Sequence, residues 1–150
     1  MKGSYILLLH LPEAQSIAVG RLGNLHFPQG HYAYVGSAMG GFRARVNHHL
    51  KPAEKHHWHI DYLRDRAYVS GITLCPTEQR TECAIVQGLG QHLDCISGFG
   101  ASDCRCRSHL FFTANECQMK ETITETMKRL RLITEYFFPP SEASDRINRL

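Results

Sequence analysis

The first apolar segment, Tyr5-Ile-Leu-Leu-Leu-His-Leu11, has no polar face, so it predicts a strand over Ser4–Leu11 in the middle of a sheet covered on both sides. Pro12 opens a turn. Ser16–Val19 and Leu25–Phe27 predict two short strands within an irregular, glycine-bounded stretch, and His31–Val35 the next strand, closed by Gly36 and Ser37. The first three or four strands are expected to run as an antiparallel meander. The pattern then turns helical at Phe42–Leu50. A polar loop, Lys51–His57, leads to a second helix over Trp58–Asp65, with Ile60, Leu63 and Ala67 toward the core. Tyr68–Leu74 alternates like a strand and stops before Pro76. Thr81 is placed to N-cap a helix over Glu82–Leu93, Gly98–Ser102 reads as a loop, and Leu110–Thr113 as a last short strand. Met119, Ile123, Met127, Leu130, Ile133 and Phe137 fall at helical spacing. They predict a long amphipathic helix over Glu116–Phe138, ended by Pro139 and Pro140. That helix either packs on the domain's own core or offers a homodimer or protein-partner surface. The polar tail Ser141–Leu150 reads as frayed. The element order gives an α/β fold of the α+β kind: a mixed, mainly antiparallel central sheet flanked by helices.

At 150 residues and 43% hydrophobic, the chain suits one domain with a sizeable core. No segment approaches the ~20 apolar residues of a membrane span, and the start does not resemble a signal peptide. A cytoplasmic protein with no membrane partner is the expectation, its six cysteines kept as thiols. The formal charge of +3 is unevenly placed. Residues 1–66 hold eight Lys and Arg against four Asp and Glu, with eight of the ten histidines; the remainder holds nine against ten. A basic, histidine-rich first half suits a polyanion, although an ordinary solvated surface has the same composition.

Candidate chemistry concentrates in Gly30-His-Tyr-Ala-Tyr34-Val35-Gly36-Ser37 and the following Arg45-Val-Asn-His-His49. Arg45 and His49, at i and i+4 of a helix, project side by side next to a tyrosine-bearing strand. A guanidinium offers planar paired donors to phosphate oxygens, and an imidazole can move a proton near neutral pH. His48, His49, His56, His57 and His59 fall beside Arg43, Arg45, Lys51 and Lys55. If this face meets a phosphate backbone, affinity should rise as pH falls from about 8 to about 6, through the ordinary histidine range. Within it, Trp58 or Tyr62 can stack on a base and His59 or Asp61 can shuttle a proton, or Trp58 simply anchors a helix start. Phe99-Gly-Ala-Ser-Asp103 can grip a phosphate through backbone N–H groups, or serve as a turn.

Gly3-Ser4-Tyr5, Tyr34-Val35-Gly36 and Arg45-x-x-x-His49 together resemble the signature of the GIY-YIG nuclease superfamily. Val19-Gly-Arg-Leu-Gly23, Trp58-His-Ile-Asp-Tyr-Leu63, Glu82-Cys83 and Phe99 to Leu110 resemble, in order, its small uncharacterised branch sometimes fused to endonuclease III. The resemblance implies a GIY-YIG-like domain over 1–117 with an inserted strand pair between Tyr5 and Tyr34, and a helical extension, 118–150, packed on the same domain. It implies a nuclease that hydrolyses phosphodiester bonds in nucleic acid, DNA first, with one Mg²⁺ or Mn²⁺ ion. Tyr5 and Tyr34 would line the site and help deprotonate water, and Arg45 would clamp the phosphate. His49, with His48 as its competitor, would relay the proton. Glu82, with Glu78 as its competitor, would hold the metal. By their charge and ring character, Arg43, Lys51, Trp58 and His59 are the expected contacts to nucleic acid. A non-catalytic nucleic-acid-binding or assembly module on the same fold is the alternative.

The cysteines contain one metal-like pattern. Cys104-Arg-Cys106-x-x-His109 supplies three soft donors, and Cys83 a fourth, as zinc prefers. Buried thiols or a redox pair are the competing readings, and a zinc-stabilised scaffold is a third reading of the whole protein.

Overall fold

The computed structural model describes residues 1–51, 54–102 and 104–149. Asp103, in the expected phosphate-gripping loop, and residues 52–53 of the expected polar loop lie outside the described residues, as does Leu150. The apolar run at the start becomes β1 (Gly3–Leu11). A hairpin of β2 (Gln15–Ala18) and β3 (Asn24–Phe27) follows, then β4 (Gly30–Ala38), α1 (Phe42–Leu50), α2 (His59–Arg64) and β5 (Tyr68–Pro76). The second half contains α3 (Glu82–Gly90), β6 (Asp94–Cys95), β7 (Leu110–Thr113), α4 (Glu116–Arg129), β8 (Glu135–Phe137) and α5 (Ser141–Asn148).

Six strands form one sheet in the order β6-β7-β4-β1-β5-β8, and every pairing in it is antiparallel. The expected mixed sheet is thus wholly antiparallel among the described residues. The expected meander is also corrected. β2 and β3 pair only with each other, while β1 pairs directly with β4 and β5. A strand apolar on both faces needs neighbours on both edges and layers on both sides, and β1 has them. Tyr5, Leu7, Leu9 and Leu11 face α1, α2, α5 and the small hairpin through Phe42, Ile60, Ile147 and Phe27. Ile6 and Leu8 face α3 and α4 through Ile85, Leu89, Met119 and Ile123. Alternation along the strand splits one apolar run into two cores.

Gly36 and Ser37 do not end their strand. β4 continues to Ala38, and Gly36 lies opposite Tyr5. The long helix is corrected too. α4 stops at Arg129, Arg131 takes a left-handed conformation (φ 58°), and residues 135–137 add to the sheet edge against β5. Ile133-Thr-Glu-Tyr-Phe-Phe138 is β-branched and aromatic, so its apolar spacing fits a strand as well as a helix. A partner surface built from one continuous helix over 116–138 therefore does not exist in that form. α4 buries Met119, Ile123 and Met127 on the domain's own sheet. The expected frayed tail is a helix. Pro140 precedes α5 instead of terminating one, and Ala143 and Ile147, one turn apart, are buried. Among the described residues no helix is long and apolar enough to cross a membrane.

Candidate active site and metal centre

Register places the two tyrosines. Tyr5 is opposite Gly36 and Leu7 is opposite Tyr34, so both phenols rise from adjacent strands on one sheet face. Their ring centroids are 6.5 Å apart. α1 crosses this face and delivers His49, whose Nε2 lies 2.7 Å from the Tyr5 hydroxyl. Tyr5 and His49 are each 1% exposed and Tyr34 is 8% exposed. The site is enclosed. Among the described residues His49 Nδ1 has no hydrogen-bond partner, a rare condition for a buried ring nitrogen.

Arg45, one turn before His49, is half-buried and lies over the Trp58 ring, its guanidinium carbon 4.3 Å from the ring centroid. Trp58 is held edge-on by His48 (4.8 Å), and His48 Nε2 lies 2.8 Å from Asp61 Oδ1. Asp61, at the third position of α2, also accepts the backbone N–H groups of His57 and Trp58 at 2.9 and 3.0 Å. Burial alone would push its pKa up, but the hydrogen bonds from Trp58, His48 and His57 bring it below the usual range. Asp61, His48, Trp58 and Arg45 thus form a connected support. Asp61 and His48 are the residues that the reading of catalytic roles underweights, and the sequence signal is a carboxylate three residues after a helix N-cap.

Electrostatics keep the apolar face neutral. Burial, then the nearby Tyr34, raises the Tyr5 pKa well above its ordinary value, although the charge and side-chain hydrogen bond of Arg45 oppose this. Burial likewise raises Tyr34. His49 is lowered from 6.5 to about 4, mainly by burial and then by His48. At neutral pH the group is therefore phenol, phenol and neutral imidazole, with the guanidinium groups of Arg45 and Arg64 nearby, the latter donating to the His49 carbonyl at 2.9 Å. Glu82 opens α3, and its charge is felt at both tyrosines, raising each. Its placement follows from the start of α3. The Thr81 hydroxyl, expected to cap the helix, instead pairs with Ser4 Oγ at 2.8 Å, anchoring α3 beside the strand of Tyr5. Among the other expected contacts, Arg43 and Lys51 are exposed. His59 is half-buried, and its Nδ1 accepts the Gly100 N–H at 2.8 Å, tying α2 to the loop before β7. His56 lies 2.6 Å from Asp65.

A second cluster forms where that loop meets α3. The ligand atoms of Cys83, Cys104, Cys106 and His109 all lie within 4.8 Å of one another, so this group can hold a metal ion. Cys106 Sγ is 3.2 Å from Cys83 Sγ, and Cys104 Sγ is 3.1 Å from His109 Nε2. Burial and then hydrogen bonds to Cys83 and Cys104 push the Cys106 thiol up to about 12. His109 Nδ1 lies 3.1 Å from the Val35 carbonyl and 3.8 Å from Glu82 Oε2. The structure thus places Tyr5, Tyr34 and His49 on one sheet face with Arg45 one turn from His49, and gathers Cys83, Cys104, Cys106 and His109 into a second group, while Arg43 and Lys51 belong to neither.

A family model matches residues 4–132, from β1 to just past α4. The chain belongs to that family, described as a domain of unknown function, DUF123. Comparison with curated proteins and with solved structures found no match. The DUF123 match contains Tyr5, Tyr34, Arg45, His49, Glu82 and all four residues of the cysteine-histidine group.

Proposed function

We propose that this DUF123 protein hydrolyses phosphodiester bonds in nucleic acid, DNA first, through Tyr5, Tyr34, Arg45 and His49. The reading is carried by the enclosed hydrogen bond between Tyr5 and neutral His49, set directly beside a half-buried arginine. The resemblance to GIY-YIG nucleases gives the same residues the same roles. Arg45 clamps the phosphate by its planar donors and offsets charge that develops in the transition state. Tyr34 lines the site beside Tyr5, and Tyr5, passing its proton inward to His49 Nε2, takes one in turn from the water that attacks phosphorus. That tautomer leaves Nδ1 carrying the other ring proton.

Glu82 is the residue for a divalent ion. Its carboxylate is part-exposed, lies 3.8 Å from His109 Nδ1 and acts electrostatically on both phenols. A lone carboxylate suits Mg²⁺ or Mn²⁺, which keep waters and take substrate phosphate as further ligands. Bound there, such an ion supplies positive charge to the phosphodiester and favours the phenolate. The thiol-rich group of Cys83, Cys104, Cys106 and His109 suits zinc instead.

A second reading, a nucleic-acid-binding module without cleavage, is favoured by one observation: burial holds both phenols protonated. Incubating branched, nicked and single-stranded DNA with Mg²⁺ or Mn²⁺ separates the two. The nuclease reading expects cleavage by wild type that Arg45→Ala and Glu82→Ala abolish. Binding that weakens steeply with salt, without cleavage, supports the module.

A further inference from the structure

We infer that Cys83, Cys104, Cys106 and His109 bind a single structural zinc ion that staples the start of α3 to the loop before β7. The first argument is geometric. Tetrahedral zinc with Zn–S near 2.3 Å and Zn–N near 2.0–2.1 Å places its ligand atoms about 3.6–3.8 Å apart. The sulfur–sulfur contact of 3.2 Å and the sulfur–nitrogen contact of 3.1 Å need to open by about half an ångström to reach that. The largest separation, 4.8 Å, closes by rotation of half-buried cysteine side chains.

The second argument is the orientation of His109. Its Nδ1 lies against the Val35 carbonyl at 3.1 Å, so Nδ1–H donates there and the Nε2 lone pair points at Cys104. Metal-bound histidines characteristically give their second ring N–H to such an acceptor, which fixes the tautomer.

The third is what the staple does. From Ile96 to Ser108 the described chain has no regular helix or strand, and it turns through left-handed Gly98 and Gly100. It is tied by the backbone bonds Gly98 N–H to Arg107 O and His109 N–H to Phe99 O, each 2.8 Å. Ordering such a loop costs conformational entropy that a few hydrogen bonds offset poorly, whereas a metal cross-link contributes its binding energy to folding. With four protein donors there is no open position, so the ion is structural and does not bind substrate. A groove of about 930 Å³ that includes Cys83 and Cys106 gives it an entry path.

On the nuclease reading the staple has a further use, because Cys83 is the neighbour of Glu82 and fixes the helix turn that presents it. The zinc itself does not depend on that reading. Elemental analysis of untagged protein purified under reducing conditions should find a single zinc per chain. Cobalt(II) loaded in its place should give the intense bands of a tetrahedral thiolate site. Cys104→Ser should weaken those bands and lower the thermal midpoint, while Arg45→Ala and Glu82→Gln should leave zinc content unchanged. No zinc after reconstitution, or an octahedral cobalt spectrum in wild type, overturns the inference whatever the variants do. Zinc present without DNA cleavage would overturn the nuclease reading alone.

Discussion

Tyr5 reaches His49 because residue 36 has no side chain: a Cβ there would overlap the Tyr5 ring and hydroxyl. Gly36→Ala should therefore displace the ring and destabilise the fold by about 1–3 kcal/mol, as overpacking does, measured by denaturant unfolding. Tyr5→Phe keeps the ring but strips His49 of its hydrogen bond, at a cost of about 1–3 kcal/mol in the same measurement. His49 also sets an acid limit. Its folded pKa, about 4, lies below its ordinary 6.5, so between these values the unfolded chain binds more protons and stability falls as pH falls. The full effect is on the order of 3 kcal/mol, and a pH series of unfolding midpoints should lose most of it in His49→Gln. At the alkaline end, Tyr5, Tyr32 and Tyr34 are all raised by burial. Their tyrosinate absorbance should appear together with unfolding, not before it.

At the scale of elements, α1 was legible to the residue because Phe42, Val46 and His49 share one buried stripe and a glycine precedes it. The cysteine-histidine group was legible in part, since Cys104, Cys106 and His109 fall within six residues, while Cys83 joins them only through the packing of α3. The end of the chain was not. A run of Ile, Thr, Tyr and Phe satisfies helical spacing and strand preference alike, and the turn at Arg131 has no glycine to announce it. Paired prolines can stop a helix or start one, and here they start α5. The support of Arg45 was only half visible, because the contact of His48 with Asp61 joins two helices. α5 packs against α1, where Ser144 Oγ donates to Asn47 Oδ1 at 2.8 Å and Ile147 is 4% exposed. Ile147→Ala should cost about 2–4 kcal/mol by denaturant unfolding.

At the scale of the molecule, one sheet separates two chemistries. Its tyrosine face holds the neutral, enclosed hydrogen-bonded pair of Tyr5 and His49 beside Arg45, and the edge near α3 holds a thiol-rich group that can hold a metal ion. Glu82 belongs to the first by its field and is next to the second by sequence, so the start of α3 joins them. The formal charge of +3 and the exposed Arg43 and Lys51 give a polyanion a mildly favourable approach. The central claim is that the pair of Tyr5 and His49 moves the proton in phosphodiester cleavage. Its most direct test is the single-turnover cleavage rate of Tyr5→Phe against wild type, with Mg²⁺ and saturating DNA, below the unfolding temperature of both. A fall of roughly 100-fold or more, at unchanged DNA affinity and zinc content, is the predicted result. An unchanged rate would contradict it.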